Sequence, residues 1–261
     1  MAEIIKKKYL GQHFLRQQEI VDKMVNQVAT AEKTILEIGC GDGFLTKTIL
    51  ANSQCKKLIS VEVDSAWAQE VATKITDPRL TVINADILTY PWDSLANEGG
   101  VVLLANLPYN ITFPILHLLI KNRQHFTEGV FMVQEEVAQK ITAQKKGVSA
   151  ITIFMQAYLE LKLLDKVRPE AFVPPPKVFS RTVYFRPQPQ ELVTTKDPEG
   201  FWKFVQLSFR HPRQTLRNNF KKAGFKVEGF AELTPELLEK RAQHLKLADF
   251  LKIWQENNST F

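Results

Sequence analysis

Four consecutive residues, Asn106-Leu107-Pro108-Tyr109, could together hold a flat ring that carries an amine. An asparagine amide offers one carbonyl acceptor and two donors. A proline fixes φ and lacks an N–H, so the turn is stiff and the carbonyl of Leu107 can point into a cleft. A tyrosine ring can stack on a planar ligand. The set suits a group such as adenine. Alone, it fits a plain strand-end turn with a packed tyrosine better, so the surroundings must decide. The preceding apolar run, residues 101–105, reads as a buried strand of a parallel sheet. Ligands of open α/β sheets bind at the carboxyl ends of strands, which is where the tetrapeptide falls.

Two other strand ends carry chemistry. Residues 34–38 read as a strand, followed by Gly39-Cys40-Gly41-Asp42-Gly43 and a helical stretch, residues 44–51. Strand, glycine loop and helix form a phosphate- or nucleoside-binding turn. The glycine spacing differs from the dinucleotide pattern, and no Gly-Lys-Ser/Thr follows, which excludes a P-loop. The next strand, residues 58–63, ends in Glu62-Val63-Asp64, which places Glu62 to accept from ribose hydroxyls. A third strand, residues 80–85, ends in Asp86, suited to accept from an exocyclic amine. Later, Phe172-Val173-Pro174-Pro175-Pro176-Lys177-Val178 cannot sit inside a sheet or helix. It is either a stiff connector, extended in polyproline II form, or a loop presenting Phe172 to the cleft as a second stacking surface.

The elements that position these groups alternate. Residues 17–29 read as an amphipathic helix, Ser65 as the cap of a helix to residue 75, and residues 113–122 as another helix. Strand 129–134, helices 135–142 and 150–159, and strands 161–167 and 182–186 follow. Strand–helix alternation predicts an α/β fold, a largely parallel sheet with helices on both faces. Pro187, Pro189 and a polar run to Gly200 read as a linker. This divides the chain into a domain at 1–187 and a small all-α domain at 188–261. The latter reads as helices 201–209, 215–223, 235–243 and 247–255, with Thr234 capping the third.

Lys203, Arg210, Arg213, Arg217, Lys221 and Lys222 fall between Phe201 and Lys222 with no acid among them, which tilts towards a phosphate-binding surface. Lys6-Lys7-Lys8 precede Tyr9, His13 and Phe14, the pattern of a basic arm that docks on something. A net charge of +6 favours a polyanionic partner. With two cysteines, Cys40 and Cys55, neither a disulfide framework nor a Cys-rich zinc site is expected. No signal-peptide core or membrane-length apolar run is evident, so a soluble cytoplasmic protein without membrane contact or metal is expected.

The glycine loop, the two strand-end acids and Asn-x-Pro-Tyr, in this order, resemble the S-adenosylmethionine-dependent adenine-N6 methyltransferases of the Rossmann-like class I fold. From about Lys7 to the C-terminal helices the chain resembles the rRNA adenine dimethyltransferases, and among them the branch acting on 16S rRNA. Lys8-Tyr9-Leu10-Gly11-Gln12-His13-Phe14-Leu15 resembles that family's cofactor motif. Asn106-Leu107-Pro108-Tyr109-Asn110-Ile111 resembles its catalytic motif, and residues 172–178 its target-base loop.

The resemblance implies S-adenosylmethionine as cofactor. Its amino-acid end would meet Gly39, Gly41 and Gly43, with Gln12, His13 and Leu15 closing over it and Asn106 nearby. Glu62 would bind its ribose, Asp86 its adenine amine, and Val63 and Ile87 would pack on that ring. Asn106 and the Leu107 carbonyl would accept from the target N6, Pro108 would stiffen the turn, Tyr109 would stack on the base and Phe172 would cover it. Lys6, Lys7, Lys8, Lys177, Arg210, Arg213, Arg217, Lys221 and Lys222 would bind RNA.

The implied partner is 16S rRNA within the 30S subunit or its precursor, met by a monomer. Cys40 departs from the family's usual Gly-Pro-Gly, and His211, Pro212 and Gln214 interrupt its basic stretch. Rival readings are a 23S rRNA adenine methyltransferase of macrolide resistance, an RNA-binding ribosome assembly factor and a small-molecule methyltransferase. Leu107 and the Pro174-Pro175-Pro176 loop favour the 16S branch.

Overall fold

The computed structural model describes residues 13–144, 147–189, 197–224 and 235–257. In chain order the elements are β1 (Phe14–Leu15), α1 (Gln18–Asn26), β2 (Thr34–Ile38), α2 (Phe44–Asn52), β3 (Lys57–Glu62), α3 (Ser65–Lys74) and β4 (Leu80–Asn84). Next come β5 (Val101–Asn106), α4 (Thr112–Lys121), β6 (Phe126–Gln134), α5 (Glu135–Ile141), α6 (Ala150–Tyr158), β7 (Leu159–Val167), β8 (Phe172–Val173) and β9 (Ser180–Pro187). Helices α7 (Pro198–Ser208), α8 (Leu216–Lys222), α9 (Pro235–Glu239) and α10 (Leu247–Asn257) follow.

The described residues divide into two compact units, one within 13–138 and 162–187, the other within 139–161 and 188–257. The first is built on a seven-stranded sheet ordered β4-β3-β2-β5-β6-β9-β7. Pairing is parallel from β4 to β6, and β9 runs antiparallel to β6. Strands β2 and β5 are buried along their length because both faces are covered, and β5 reads as an apolar run up to Ala105 while β2 buries Glu37 among its apolar residues. Ile35, Leu36, Leu103 and Leu104 are fully buried.

The chain leaves β2 towards β3 and β4, then returns to β5 on the other side. That reversal opens a crevice above the sheet at β2 and β5. Register then aligns the chemistry. Ile38 pairs with both Val61 and Ala105, so Gly39, Glu62 and Asn106 leave the sheet side by side. Glu62 pairs with Asn84, two residues before Asp86.

Several boundaries differ from expectation for local reasons. Asp64, not Ser65, caps α3: it has the extended backbone of a cap, and its carboxylate accepts from the Ala66 N–H at 3.1 Å. Helix α7 starts at Pro198 rather than at Phe201, because Asp197 caps it by accepting from the Gly200 N–H at 2.9 Å. The expected cap Thr234 lies outside the described residues. The proline segment contributes a strand: β8 pairs antiparallel with β1, Phe14 opposite Val173 and Leu15 opposite Phe172. The Val173–Pro174 peptide is cis.

The second unit has an aromatic core. Phe204 lies 5.9 Å from Phe220 and 5.6 Å from Trp254, and Phe209 stacks on Phe250 at 5.6 Å. Helix α6 belongs to this unit. It packs on α7 and α10, with Tyr158 meeting Phe201 at 6.1 Å.

Candidate active site

A cleft of about 1000 Å³, its open mouth included, lies over the carboxyl ends of β2, β3 and β5. One half is built on the glycine loop. Gly39, Gly41 and Gly43 have φ of +76°, +51° and +82°, a conformation that glycine adopts without strain. The loop is held by Glu62, 5% exposed, which accepts from the Gly41 N–H at 2.9 Å and from the Asp64 N–H at 2.9 Å. Burial pushes the Glu62 carboxyl up from its ordinary range, opposed by these backbone donors. A carboxylate has roughly four lone-pair positions, so acceptor capacity remains for ligand hydroxyls. At Gly41 a Cβ would fall 2.7 Å from Cε1 of Phe14, so the loop and the Phe14 ring fit only without a side chain there. Phe14 in turn leans on Trp67, with ring centres 5.2 Å apart. Arg16 pairs with Asp42 of the loop and lies over the Phe14 and Phe44 rings at 5.4 and 5.7 Å.

Leu15, Val63, Asp86 and Ile87 also line the cleft. Val63 is 49% exposed, an apolar surface facing open space. Asp86 accepts from the Leu88 N–H at 2.9 Å through one oxygen. Gly43 does not line the cleft. It precedes α2 and packs on Val71 and Ile75, where a Cβ would come within 3.0 Å of Ile75. Gln12, Lys6, Lys7 and Lys8 lie outside the described residues.

The other half carries the Asn106 motif. Asn106 donates from Nδ2 to the His13 carbonyl at 3.0 Å. A carbonyl only accepts, so this bond fixes which way the amide faces. The opposite atom, Oδ1, is buried and has no hydrogen-bond partner. A buried acceptor without a donor is rare in folded proteins, and the residue that carries it lines the cleft. Leu107 is buried, its N–H donating to the Met132 carbonyl at 3.1 Å. The Pro108 carbonyl accepts from Thr112 Oγ1 at 3.0 Å, which ties the turn to the first residue of α4.

Tyr109 is held on two sides. His13 stacks on its ring, centres 5.5 Å apart and planes 29° apart, and its hydroxyl hydrogen-bonds the fully buried Ser180. Burial raises the Tyr109 phenol, which stays neutral. His13 Nδ1 lies 2.8 Å from the Pro174 carbonyl, so the proline loop holds the residue that holds Asn106 and Tyr109.

Phe172 does not cover this half. It is 2% exposed and packs in the core with Leu15, Met24 and Val167. The reason is strand alternation: in β8 the Phe172 side chain turns inward and Val173, 45% exposed, turns outward. The expected second stacking surface is therefore corrected to a core residue beneath the β1–β8 ribbon. Residue types alone did not single out Asp42 or Ser180, and marked Phe14 only as part of a docking arm. The signal for Ser180 lay in its position directly after the proline loop, at the start of a strand.

Of the expected RNA-binding residues, Lys177, Arg210, Arg213, Lys221 and Lys222 are exposed. Arg217 pairs with Glu239 of α9 at 2.5 Å, so the acid-free stretch meets an acid in space. Asn219 is a buried brace. It accepts from the His211 N–H at 2.8 Å and donates to the His211 and Thr215 carbonyls. Among the described residues no helix is long and apolar enough to cross a membrane.

A family model described as ribosomal RNA adenine dimethylase matches residues 4–258. The chain belongs to this family. As an rRNA adenine dimethylase it is a methyltransferase, and its α/β sheet has the Rossmann-like form of that class. A curated relative from Chlorobium phaeobacteroides, named ribosomal RNA small subunit methyltransferase A, is 36% identical over 258 residues, 98% of this chain and 92% of the relative. One of the same name from Mesomycoplasma hyopneumoniae is 32% identical over 260 residues, 97% of this chain and 96% of the relative. Among solved structures, a dimethyladenosine transferase from Plasmodium falciparum matches with a TM-score of 0.82 and 26% identity, covering 95% of this chain and 98% of that one. The 23S rRNA methyltransferase ErmE shares the fold, with a TM-score of 0.70 and 20% identity over 94% of this chain and 99% of that one.

Proposed function

We propose that this dimethylase transfers methyl groups from S-adenosylmethionine to the N6 amines of two adjacent adenosines in the 3′-terminal hairpin loop of 16S rRNA. The substrate would be the small ribosomal subunit or its precursor, met in the cytoplasm by a monomer. The observation that carries the reading is the buried, unpartnered Oδ1 of Asn106, a residue that lines the cleft. The names that the two relatives carry support the small subunit as target.

The residues present fit the cofactor. Gly39 and Gly41 bring bare backbone to the cleft, Glu62 keeps acceptor capacity, and Val63 and Ile87 offer apolar surface beside the Asp86 carboxylate. Gln12 and Gly43 are left out of this set. Bound S-adenosylmethionine supplies an electrophilic methyl group and a neutral leaving group.

The protein's part is position and polarity. An adenine must leave its stack to reach the cleft. His13 takes one face of Tyr109, so the other face is left for the base. Asn106 Oδ1 and the Leu107 carbonyl accept the two N6 hydrogens. An aromatic amine is a poor nucleophile because its lone pair is delocalised into the ring. Two acceptors on its hydrogens favour a pyramidal nitrogen whose lone pair points away from them, a preorganised electrostatic effect. The released proton passes to solvent. Arg210, Arg213, Lys221 and Lys222 supply exposed charge for phosphates, together with Lys177.

The test is to incubate the full chain with labelled S-adenosylmethionine and small subunits from a strain lacking the dimethylation, then map the product. Two dimethylated adenosines in the 3′-terminal loop are expected. Label in 23S rRNA instead would move the chain to the resistance branch. A role in subunit assembly predicts that a deletion grows more slowly than an Asn106→Ala allele.

A further inference from the structure

The stretch before Ser180 exposes more apolar surface than a connector needs. Val173, Val178 and Phe179 are 45%, 44% and 42% exposed. Single exposed hydrophobic residues are ordinary, but here three fall within one seven-residue stretch. Consecutive prolines stiffen that stretch, so the surface is presented rather than free to fold away. The next residue, Ser180, holds the Tyr109 hydroxyl.

Phe179 itself is fixed. Its carbonyl accepts from the Glu135 N–H at 2.9 Å, and the Lys166 ammonium lies 4.4 Å from its ring centre. Ser180 turns into the protein and is fully buried, while Phe179 turns out. An exposed aromatic ring backed by a cation, one residue from the contact that anchors Tyr109 and close in sequence to the exposed Lys177, is the combination that receives a single-stranded nucleotide.

We propose that Phe179 is a stacking platform for the nucleotide adjoining the target adenosine, with Lys166 and Lys177 meeting its phosphates. This rests on the function proposed above and gives the site a second base-binding surface outside the cleft. The flipped adenosine goes to Tyr109 and its neighbour is held on Phe179, so the strand is gripped on both sides of the turn.

The test measures kcat and KM on unmethylated small subunits for Phe179→Ala, Phe179→Leu and Phe179→Trp. Loss of one stacked base raises KM roughly five- to hundredfold in the Ala and Leu variants, with kcat within about twofold, and Trp restores KM. Stacking releases no counterions, so the salt dependence of binding keeps its slope in Phe179→Ala but flattens in Lys177→Ala. Calorimetry with S-adenosylmethionine gives an unchanged affinity for Phe179→Ala, which establishes that the variant is folded.

A Leu variant equal to the unaltered protein overturns the platform in favour of an apolar contact with a protein. A fall in kcat at constant KM overturns it in favour of an effect through Ser180 on Tyr109. No methylation by the unaltered protein overturns the functional reading, and this inference with it. Activity in the unaltered protein with an unmoved KM in Phe179→Ala overturns the platform alone.

Discussion

The two halves of the cleft are held together in different ways. On the glycine-loop side the partners are close in sequence: Gly41 and Glu62 are 21 residues apart. On the Asn106 side they are remote. His13 and Asn106 are separated by 93 residues, Tyr109 and Ser180 by 71, and His13 and Pro174 by 161. The hydrogen bond that shapes the first half therefore lies within one strand–helix–strand unit, on which Phe14 and Arg16 pack. The second half is complete only when the N-terminal segment and the proline loop have closed on the sheet. Damage to the first should appear in cofactor affinity, and damage to the second in turnover.

The sharpest way to break the contrast is Asn106→Ala. Losing one preorganised group at a reacting centre costs about 10²–10³-fold in kcat. Labelled methyl incorporation should fall by that much, while calorimetric affinity for S-adenosylmethionine changes only a few-fold. Near-normal turnover would sink the assigned role.

Next in size is a stability effect on the glycine-loop side. Glu37, fully buried two residues before Gly39, accepts from Thr46 Oγ1 at 2.7 Å, and its other oxygen has no partner. Burial raises its carboxyl from 4.5 to about 7, opposed by hydroxyl contacts and aided by Glu62. The unfolded chain loses this proton at lower pH than the folded one, so between these values the folded state binds more protons. The contribution is complete below pH 4.5 and is lost as pH rises through about 7. It amounts to about 3 kcal/mol across the window. Melting temperatures against pH should slope downwards there, and Glu37→Gln should flatten the slope. An unchanged slope in the variant would assign the dependence elsewhere.

Gly41→Ala places a methyl group 2.7 Å from Phe14 at a φ of +51°. Left-handed strain of about 1–2 kcal/mol predicts roughly a tenfold weaker cofactor, with kcat at saturation little changed. Smallest is Ser180→Ala. Removing one hydrogen bond on Tyr109, about 0.5–1.5 kcal/mol, predicts a two- to tenfold lower kcat with cofactor affinity intact. If Ser180→Ala weakened the cofactor as much as Gly41→Ala does, the two halves would not be separable.

Much of the first half was legible before any coordinates. An apolar run identifies β5, the glycine loop marks the end of β2, and the acids at the end of β3 and after β4 stand where a nucleoside site needs acceptors. Less legible were features that depend on remote pairing. Strands β1 and β8 are two residues each, too short for any periodicity, and they pair across most of the chain. Without that pairing the inward turn of Phe172 could not be anticipated, and the residue reads as a cleft aromatic. Arg217 reads as a free cation until α9 brings Glu239 to it. Helix α6 is recognisable, but its company is not. Ile151, Ile153, Phe154, Met155 and Ala157 are all buried, so no single apolar stripe points to one neighbour.

The chain's order of residues was enough to give the class of fold, the glycine loop, the acid at the end of β3 and the position of the Asn106 motif at a strand end. Each of these rests on backbone preference and side-chain chemistry acting within a few residues. Packing over long separations had to settle which face of Tyr109 stays open, which atom of Asn106 is left without a partner and which exposed aromatic adjoins the site. Hydrogen bonds between His13, Pro174, Asn106, Tyr109 and Ser180 join segments that share no local pattern, and such contacts exist only once the sheet has brought their ends together.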